Sequence, residues 1–143
     1  HIGPGQSLDF AAPSFARQIA SIAAGKAEPL MRVGNLECTR EFTDVRDVAS
    51  AYRLLLEKGQ PGQAYNVGSG SLIRVGLLLE KLCALAGVQP TIEVDPARYR
   101  PTDVHPVLDI TRLRQDTGWT SAYSLDQTLS DLLEEQRAAI RDI

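Results

Sequence analysis

No G-x-G-x-x-G turn follows a strand-like run anywhere in these 143 residues, and there is no G-x-S-x-G elbow, no P-loop and no tyrosine followed four residues on by lysine. The residues therefore spell neither a dinucleotide fingerprint nor a hydrolase nucleophile nor a triphosphate cradle. Cysteine and histidine are equally scarce. Cys38 and Cys83 stand far apart without a C-x-x-C pattern, and neither His1 nor His105 has a second ligand at metal spacing, which argues against a disulfide framework and a metal site. No apolar run reaches the roughly 18 residues of a membrane span and no signal-peptide pattern occurs, so the chain reads as cytoplasmic. Positive charge is not in excess either: 15 Lys and Arg against 18 Asp and Glu leave a net charge of −3. Without a basic stripe no nucleic-acid partner is expected, although a few local arginines suffice for a small anionic ligand.

What is present is one domain's length of chain, 43% hydrophobic, enough to bury a core. It begins at His1 and goes straight into Ile2-Gly3-Pro4-Gly5-Gln6, which reads as the continuation of a longer polypeptide. A helix is expected from Phe10 to Ala24, with Pro13 in its first turn and Gly25 behind it. Helices are also expected from Val45 to Lys58, Ile73 to Ala86 and Thr111 to Thr117, and from Ser124-Leu125-Asp126-Gln127, which forms a capping box. Pro29 to Val33, Ala64 to Val67 and Thr91 to Val94 read as strands. Tyr52 falls on the apolar stripe of its helix and is expected in the core, and Trp119, behind a helix stop, reads as a core anchor. Strands alternating with helices predict an α/β fold, helix-rich with few short strands. Its uncovered sheet edges suggest a missing partner segment or a homo-oligomer.

The stretch that organises the rest runs from Gly34 to Val48. Asp44 stands in N-cap position before the apolar-periodic run of the following helix, and Asp47 puts a second carboxylate on that helix's positive end. Arg40, on the polar turn before it, has no such local duty. A forked guanidinium beside a strand end suits a phosphate or carboxylate, and the plainer alternative is an ion pair with Glu37 or Glu41. The segment Asp95 to Val104 carries Arg98 and Arg100 between prolines, an odd composition for a passive linker. Arg46 and Arg98 are expected to be solvated or paired with nearby carboxylates. From these residues alone the reading is an anion-binding α/β module.

Six ordered blocks resemble a known family: His1-Ile2-Gly3-Pro4-Gly5-Gln6, Val33-Gly34-Asn35-Leu36-Glu37, Arg40 to Val48, Ala64-Tyr65-Asn66-Val67-Gly68-Ser69-Gly70, Arg100-Pro101-Thr102-Asp103-Val104 and Thr117-Gly118-Trp119. In this order they are similar to the C-terminal half of extended short-chain dehydrogenase/reductases acting on nucleotide sugars, in the branch of GDP-6-deoxy-4-keto-D-mannose reductases and GDP-mannose 4,6-dehydratases. The resemblance implies that residues 1–143 are the nucleotide-sugar (substrate) binding portion of an NAD(P)-binding Rossmann-fold enzyme. The cofactor loop and the catalytic Ser/Thr, Tyr and Lys would belong to an N-terminal Rossmann portion that this chain lacks. NADP or NAD would serve the intact parent, none would be bound by this chain alone, and the substrate would be a GDP-sugar. By the same resemblance Arg40 and Arg100 grip the diphosphate and Asn66 sits beside the nucleotide. By that resemblance Gly34, Asn35 and Leu36 also lie against base and ribose; Asp103, read from its own position beside Arg100, is expected to orient that arginine rather than to act in catalysis. Pro13-Ser14 and Gly3-Pro4-Gly5-Gln6 depart from the dehydratase pattern and point to a reductase of the 4-keto group. Glu41 stands where the family usually has Asp, and Leu72 where a helix-capping Ser is common.

Overall fold

The computed structural model describes residues 1–101 and 105–141. Its elements are α1 (Ala11–Ala23), β1 (Leu30–Val33), β2 (Thr39–Glu41), α2 (Val45–Lys58), β3 (Leu72–Arg74), α3 (Val75–Ala86), β4 (Thr91–Val94), α4 (Thr111–Thr117) and α5 (Leu125–Arg141). The helix-rich α/β reading holds: among the described residues the strands form only two pairs. β1 and β4 run parallel, with Leu30 opposite Thr91 and Val33 opposite Val94, whereas β2 and β3 run antiparallel, with Arg40 opposite Ile73.

Two apolar cores follow from the helical spacing. In α1, Ala12, Phe15, Ala16, Ile19 and Ala20 recur at three- and four-residue steps and are buried, and the small alanines let α3 and α5 pack close. Leu78, Leu79 and Leu82 of α3 and Leu129, Leu132 and Leu133 of α5 complete this core over Met31 and Val33 of β1. The second core is smaller: Ala51 of α2, Leu113 of α4, Ile110 and Trp119. Trp119 is the expected anchor. Its indole N–H donates to the Asp47 carbonyl at 3.1 Å and the Ser50 hydroxyl at 3.0 Å, which satisfies its one polar group inside apolar surroundings.

A polar seam at the start of α2 ties the two cores together. Asp44 is the N-cap, accepting from the Arg46 backbone N–H at 2.8 Å, and its buried carboxylate also accepts from the Arg46 guanidinium and, at 2.7 Å, from the Thr128 hydroxyl of α5. Arg46 in turn reaches Asp131 at 2.8 Å and lies 3.7 Å above the Tyr123 ring. Burial pushes the Asp44 carboxyl up, but the hydrogen bonds from Arg46 and Thr128 outweigh it and hold the group below its usual range; the carboxylates of Asp44 and Asp131 push the Arg46 guanidinium up. Asp47 serves more than the helix dipole. Only 1% exposed, it accepts from the Ser121 hydroxyl (2.8 Å) and from the backbone N–H groups of Ala122 (2.9 Å) and Tyr123 (3.1 Å), so it fixes the turn that feeds α5.

Four expectations need correction. Ala64–Val67 is not a strand in the structure: a strand exists only with a neighbour to bond, and none of the described residues pairs with it. The helix expected from Ile73 begins at Val75, because Leu72, Ile73 and Arg74 are taken up pairing with β2; Leu72 is therefore a strand residue, and Arg74 is the N-cap of α3. Arg40 is not on a turn but within β2. Tyr52 is 53% exposed rather than core, and with Val45 and the 91% exposed Leu56 it forms an outward apolar stripe on α2, at spacings of seven and four residues.

Candidate functional site

A cleft of about 730 Å³ opens between the first residues and start of α1 on one side and, on the other, the segment from β1 to β2 and the arm Ala97–Arg100. Four arginines line it, Arg32, Arg40, Arg98 and Arg100, against two acids, Asp9 and Glu41. Neither acid answers Arg40 or Arg100. Asp9 accepts the Ser7 hydroxyl at 2.8 Å, and Glu41 is spent on a brace: it accepts from the backbone N–H groups of Gly70 at 2.5 Å and Leu108 at 3.0 Å. Glu37, the other partner weighed for Arg40, pairs with Arg74 at 3.2 Å. Among the described residues the Arg40 guanidinium donates only to the Thr39 carbonyl, at 2.8 Å, and that of Arg100 makes no hydrogen bond or ion pair. Two guanidinium forks on separate elements, with no carboxylate partner among the described residues, give the cleft an excess of positive charge in a chain of net charge −3.

The start of α1 adds to this. Phe10 caps it with no side-chain hydrogen bond, and its first turn holds no acid, so the helix's positive end faces the cleft through Phe10, Ala11 and Ala12 uncompensated. Gln6 also lines the cleft: its amide N–H donates to the His1 carbonyl at 2.9 Å, while its buried Oε1 accepts nothing among the described residues. Arg98, like Arg46, is paired as expected, with Asp95 at 3.4 Å, and it too faces the cleft.

Of the six residues singled out in the sequence, four line this cleft: Gly34, Asn35, Arg40 and Arg100. The other two do not. Leu36 packs against the larger core while its carbonyl accepts the Gly76 N–H at 2.9 Å. Asn66 lies across β2, its exposed amide donating to the Asp109 carbonyl at 3.0 Å. Asp103 lies outside the described residues. Arg32 and the bare start of α1 were missed by sequence reasoning, because facing a cleft depends on the fold; the one local sign was the lack of an acid or Ser/Thr cap at α1. The cysteines offer no chemistry: Cys38 donates to the Asn35 carbonyl at 3.1 Å, and burial pushes the Cys83 thiol up, away from the thiolate. Among the described residues no group of His, Cys, Asp or Glu could hold a metal ion.

Comparison with known proteins shows the family. Residues 1–132 match the family model of GDP-mannose 4,6 dehydratase. The chain belongs to this family. Over 143 residues it is 38% identical to the GDP-6-deoxy-D-mannose reductase of Pseudomonas aeruginosa, covering 99% of this chain and 47% of that protein. The structure of RMD from Pseudomonas aeruginosa complexed with NADPH superposes with a TM-score of 0.86 at 35% identity, over 97% of this chain and 46% of that one. MoeE5 in complex with UDP-glucuronic acid and NAD follows at 0.74 and 26%, over 96% and 44%. The chain thus spans about half the length of the relatives it matches, corresponds to the C-terminal part of extended short-chain dehydrogenase/reductases, and comes from a family that uses NAD(P).

The β3–α3 junction does not fit the dinucleotide. This is the one strand-to-helix junction without a loop among the described residues; Gly76 lies near its start, but that space is filled, since a Cβ there would stand 2.3 Å from Arg74 Nη1. No backbone cradle for a pyrophosphate opens at that helix start. Among the described residues no helix is long and apolar enough to cross a membrane.

Proposed function

We propose that this chain is the nucleotide-sugar-binding portion of an NAD(P)-dependent oxidoreductase and that its cleft holds the diphosphate of a GDP-sugar between Arg40 and Arg100. The observation that carries the reading is a pair of guanidiniums on separate elements of one cleft, without a carboxylate partner among the described residues, beside a helix start with no side-chain cap. Each charge-assisted contact to a diphosphate oxygen contributes about 1.5–3 kcal/mol. In the intact parent the reaction would be reduction of the 4-keto group of GDP-4-keto-6-deoxy-D-mannose, for which NAD(P)H, held by the N-terminal portion, would supply the hydride while this chain holds the nucleotide diphosphate. The 38% identity to a reductase and the Pro13-Ser14 and Gly3-Pro4-Gly5-Gln6 departures favour this over dehydration.

The second reading is the dehydratase, favoured by the family model that residues 1–132 match. Joining the chain to a relative's N-terminal portion and supplying either GDP-mannose or the 4-keto sugar separates the two: water loss from the first supports the dehydratase, NAD(P)H oxidation with the second supports the reductase. The chain alone is catalytically silent in this account, because its sequence holds no tyrosine followed four residues on by lysine and no G-x-G-x-x-G turn. Turnover by the isolated 143 residues overturns that. The exposed stripe Val45, Tyr52 and Leu56 and the segment Ala64–Val67, which has no strand partner among the described residues, are the surfaces on which the N-terminal portion docks in this reading, since burying the first and pairing the second are both favourable.

A further inference from the structure

The arm that carries Arg98 and Arg100 is held by the turn between β1 and β2, and the way it is held gives Asn35 a role other than touching the base or ribose. The arm leaves β4 beside β1: the Asp95 N–H donates to the Val33 carbonyl at 2.8 Å, one residue beyond the β1–β4 ladder. It then turns on itself, with the Ala97 N–H bonded to the Asp95 carboxylate at 2.9 Å and the Arg98 N–H to the Asp95 carbonyl at 3.0 Å. At this point it passes over Gly34 so closely that a Cβ there would lie 2.4 Å from the Arg98 carbonyl oxygen, against backbone that has no other place to go. One residue on, Asn35 Nδ2 donates to the Arg100 carbonyl at 3.1 Å. Its Oδ1 accepts the Glu37 N–H at 2.9 Å, which fixes the rotamer that makes the first bond. Ladder, bare glycine and asparagine thus act at successive points along one segment, and the last point is Arg100, which lines the cleft.

We propose that Gly34 and Asn35 form a latch that positions the Arg98–Arg100 arm over the cleft, so that Asn35 is a positioning residue acting on a bound diphosphate through Arg100. The ligand part of this inference rests on the diphosphate reading above; the latch itself does not. Removing the Asn35 amide frees the arm's end while leaving both cores untouched, because Asn35 belongs to neither apolar cluster. An unanchored Arg100 spends part of its time away from the cleft, and apparent affinity falls by that fraction.

The test uses the full chain with Asn35→Ala, Gly34→Ala, Arg100→Ala and the Asn35→Ala, Arg100→Ala double variant, titrated with inorganic pyrophosphate and with GDP, alongside hydrogen exchange of the segment 95–101. Asn35→Ala and Gly34→Ala should speed exchange of the arm about fivefold or more, the loss of one such hydrogen bond, without a change in the exchange of α1 or α5. Unchanged exchange in both variants overturns the latch, whatever the ligand results. With ligand, Asn35→Ala should weaken pyrophosphate and GDP by the same factor, about fivefold, and by less than twofold once Arg100 is already alanine. Loss for GDP but not for pyrophosphate, or full additivity with Arg100→Ala, means that Asn35 contacts the nucleoside directly and overturns the positioning role. Failure of the parent chain to bind either probe overturns the diphosphate reading and the ligand half of this inference together, while the exchange result still decides the latch.

Discussion

Replacing Asp47 with alanine should be the most damaging polar substitution in the chain. Its carboxylate is 1% exposed and accepts three hydrogen bonds, from Ser121 Oγ, Ala122 N and Tyr123 N, at 2.8, 2.9 and 3.1 Å. Bonds to a charged acceptor are worth about 1.5–3 kcal/mol each, but residues 121–123 are exposed and their donors regain water once the turn lifts. The net cost is about 3 kcal/mol, a large share of the roughly 5–15 kcal/mol that holds a domain folded. Asp47→Asn keeps one acceptor oxygen and should lose about half as much. Urea unfolding measures this, and Trp119, the chain's one tryptophan, reports it from beside the substituted residue. Since the indole bonds to the Asp47 backbone carbonyl, the probe's native contact survives the change. With a urea slope of about 1–3 kcal/mol/M, the midpoint should fall by about 1–3 M at unchanged slope. A fall of less than about 0.3 M would show that water replaces these bonds without cost and that the polar seam does not couple the two cores.

Three further outcomes are expected. Asp44 is held below the usual carboxylate value of 3.8 in the folded chain, so its stabilisation is fully present above that value and is lost as pH falls through the lowered folded value; Asp44→Asn should be less stable at neutral pH and show a shallower loss of stability below about pH 4, read as urea midpoint against pH. Glu41→Asp, one methylene shorter, cannot bridge Gly70 and Leu108 at once and should lose about 1 kcal/mol in the same assay; a neutral result would make the brace dispensable. Leu56→Glu should change the stability of this chain by less than about 0.5 kcal/mol, given its exposure, yet abolish association with a separately supplied N-terminal portion in size-exclusion chromatography; retained association would remove α2 from the docking face.

Much of this architecture was legible because it is local. The bounds of α2 and α4 coincide with the expected ones: Asp44 caps the first, and glycines follow both. The Ser124 cap of α5 is half of the expected box, with Ser124 Oγ accepting the Gln127 N–H at 3.2 Å while the Gln127 side chain turns to Asp131 instead. What was not legible depends on partners far along the chain. Leu72–Arg74 looked like the start of an apolar helix because nothing local announces β2, some thirty residues earlier, as its neighbour. Tyr52 shares a helical face with apolar residues, but periodicity names a face and not what covers it. The roles of Asp47 and Asn35 rest on contacts 74–76 and 65 residues away in sequence, which no local pattern encodes. In the cleft, Arg40 was singled out by residue type and Arg100 by the family resemblance; that Glu37 and Glu41 would be occupied elsewhere was visible only in the fold.

The central claim is tested most directly by calorimetric titration of GDP into the 143-residue chain and into its Arg40→Ala, Arg100→Ala double variant, with circular dichroism to establish that both are folded. Saturable binding by the chain, weakened on the order of 100-fold or more in the variant, is the predicted result. Equal affinity in the two proteins, or no binding by the folded parent chain, contradicts the account of the cleft as a diphosphate site.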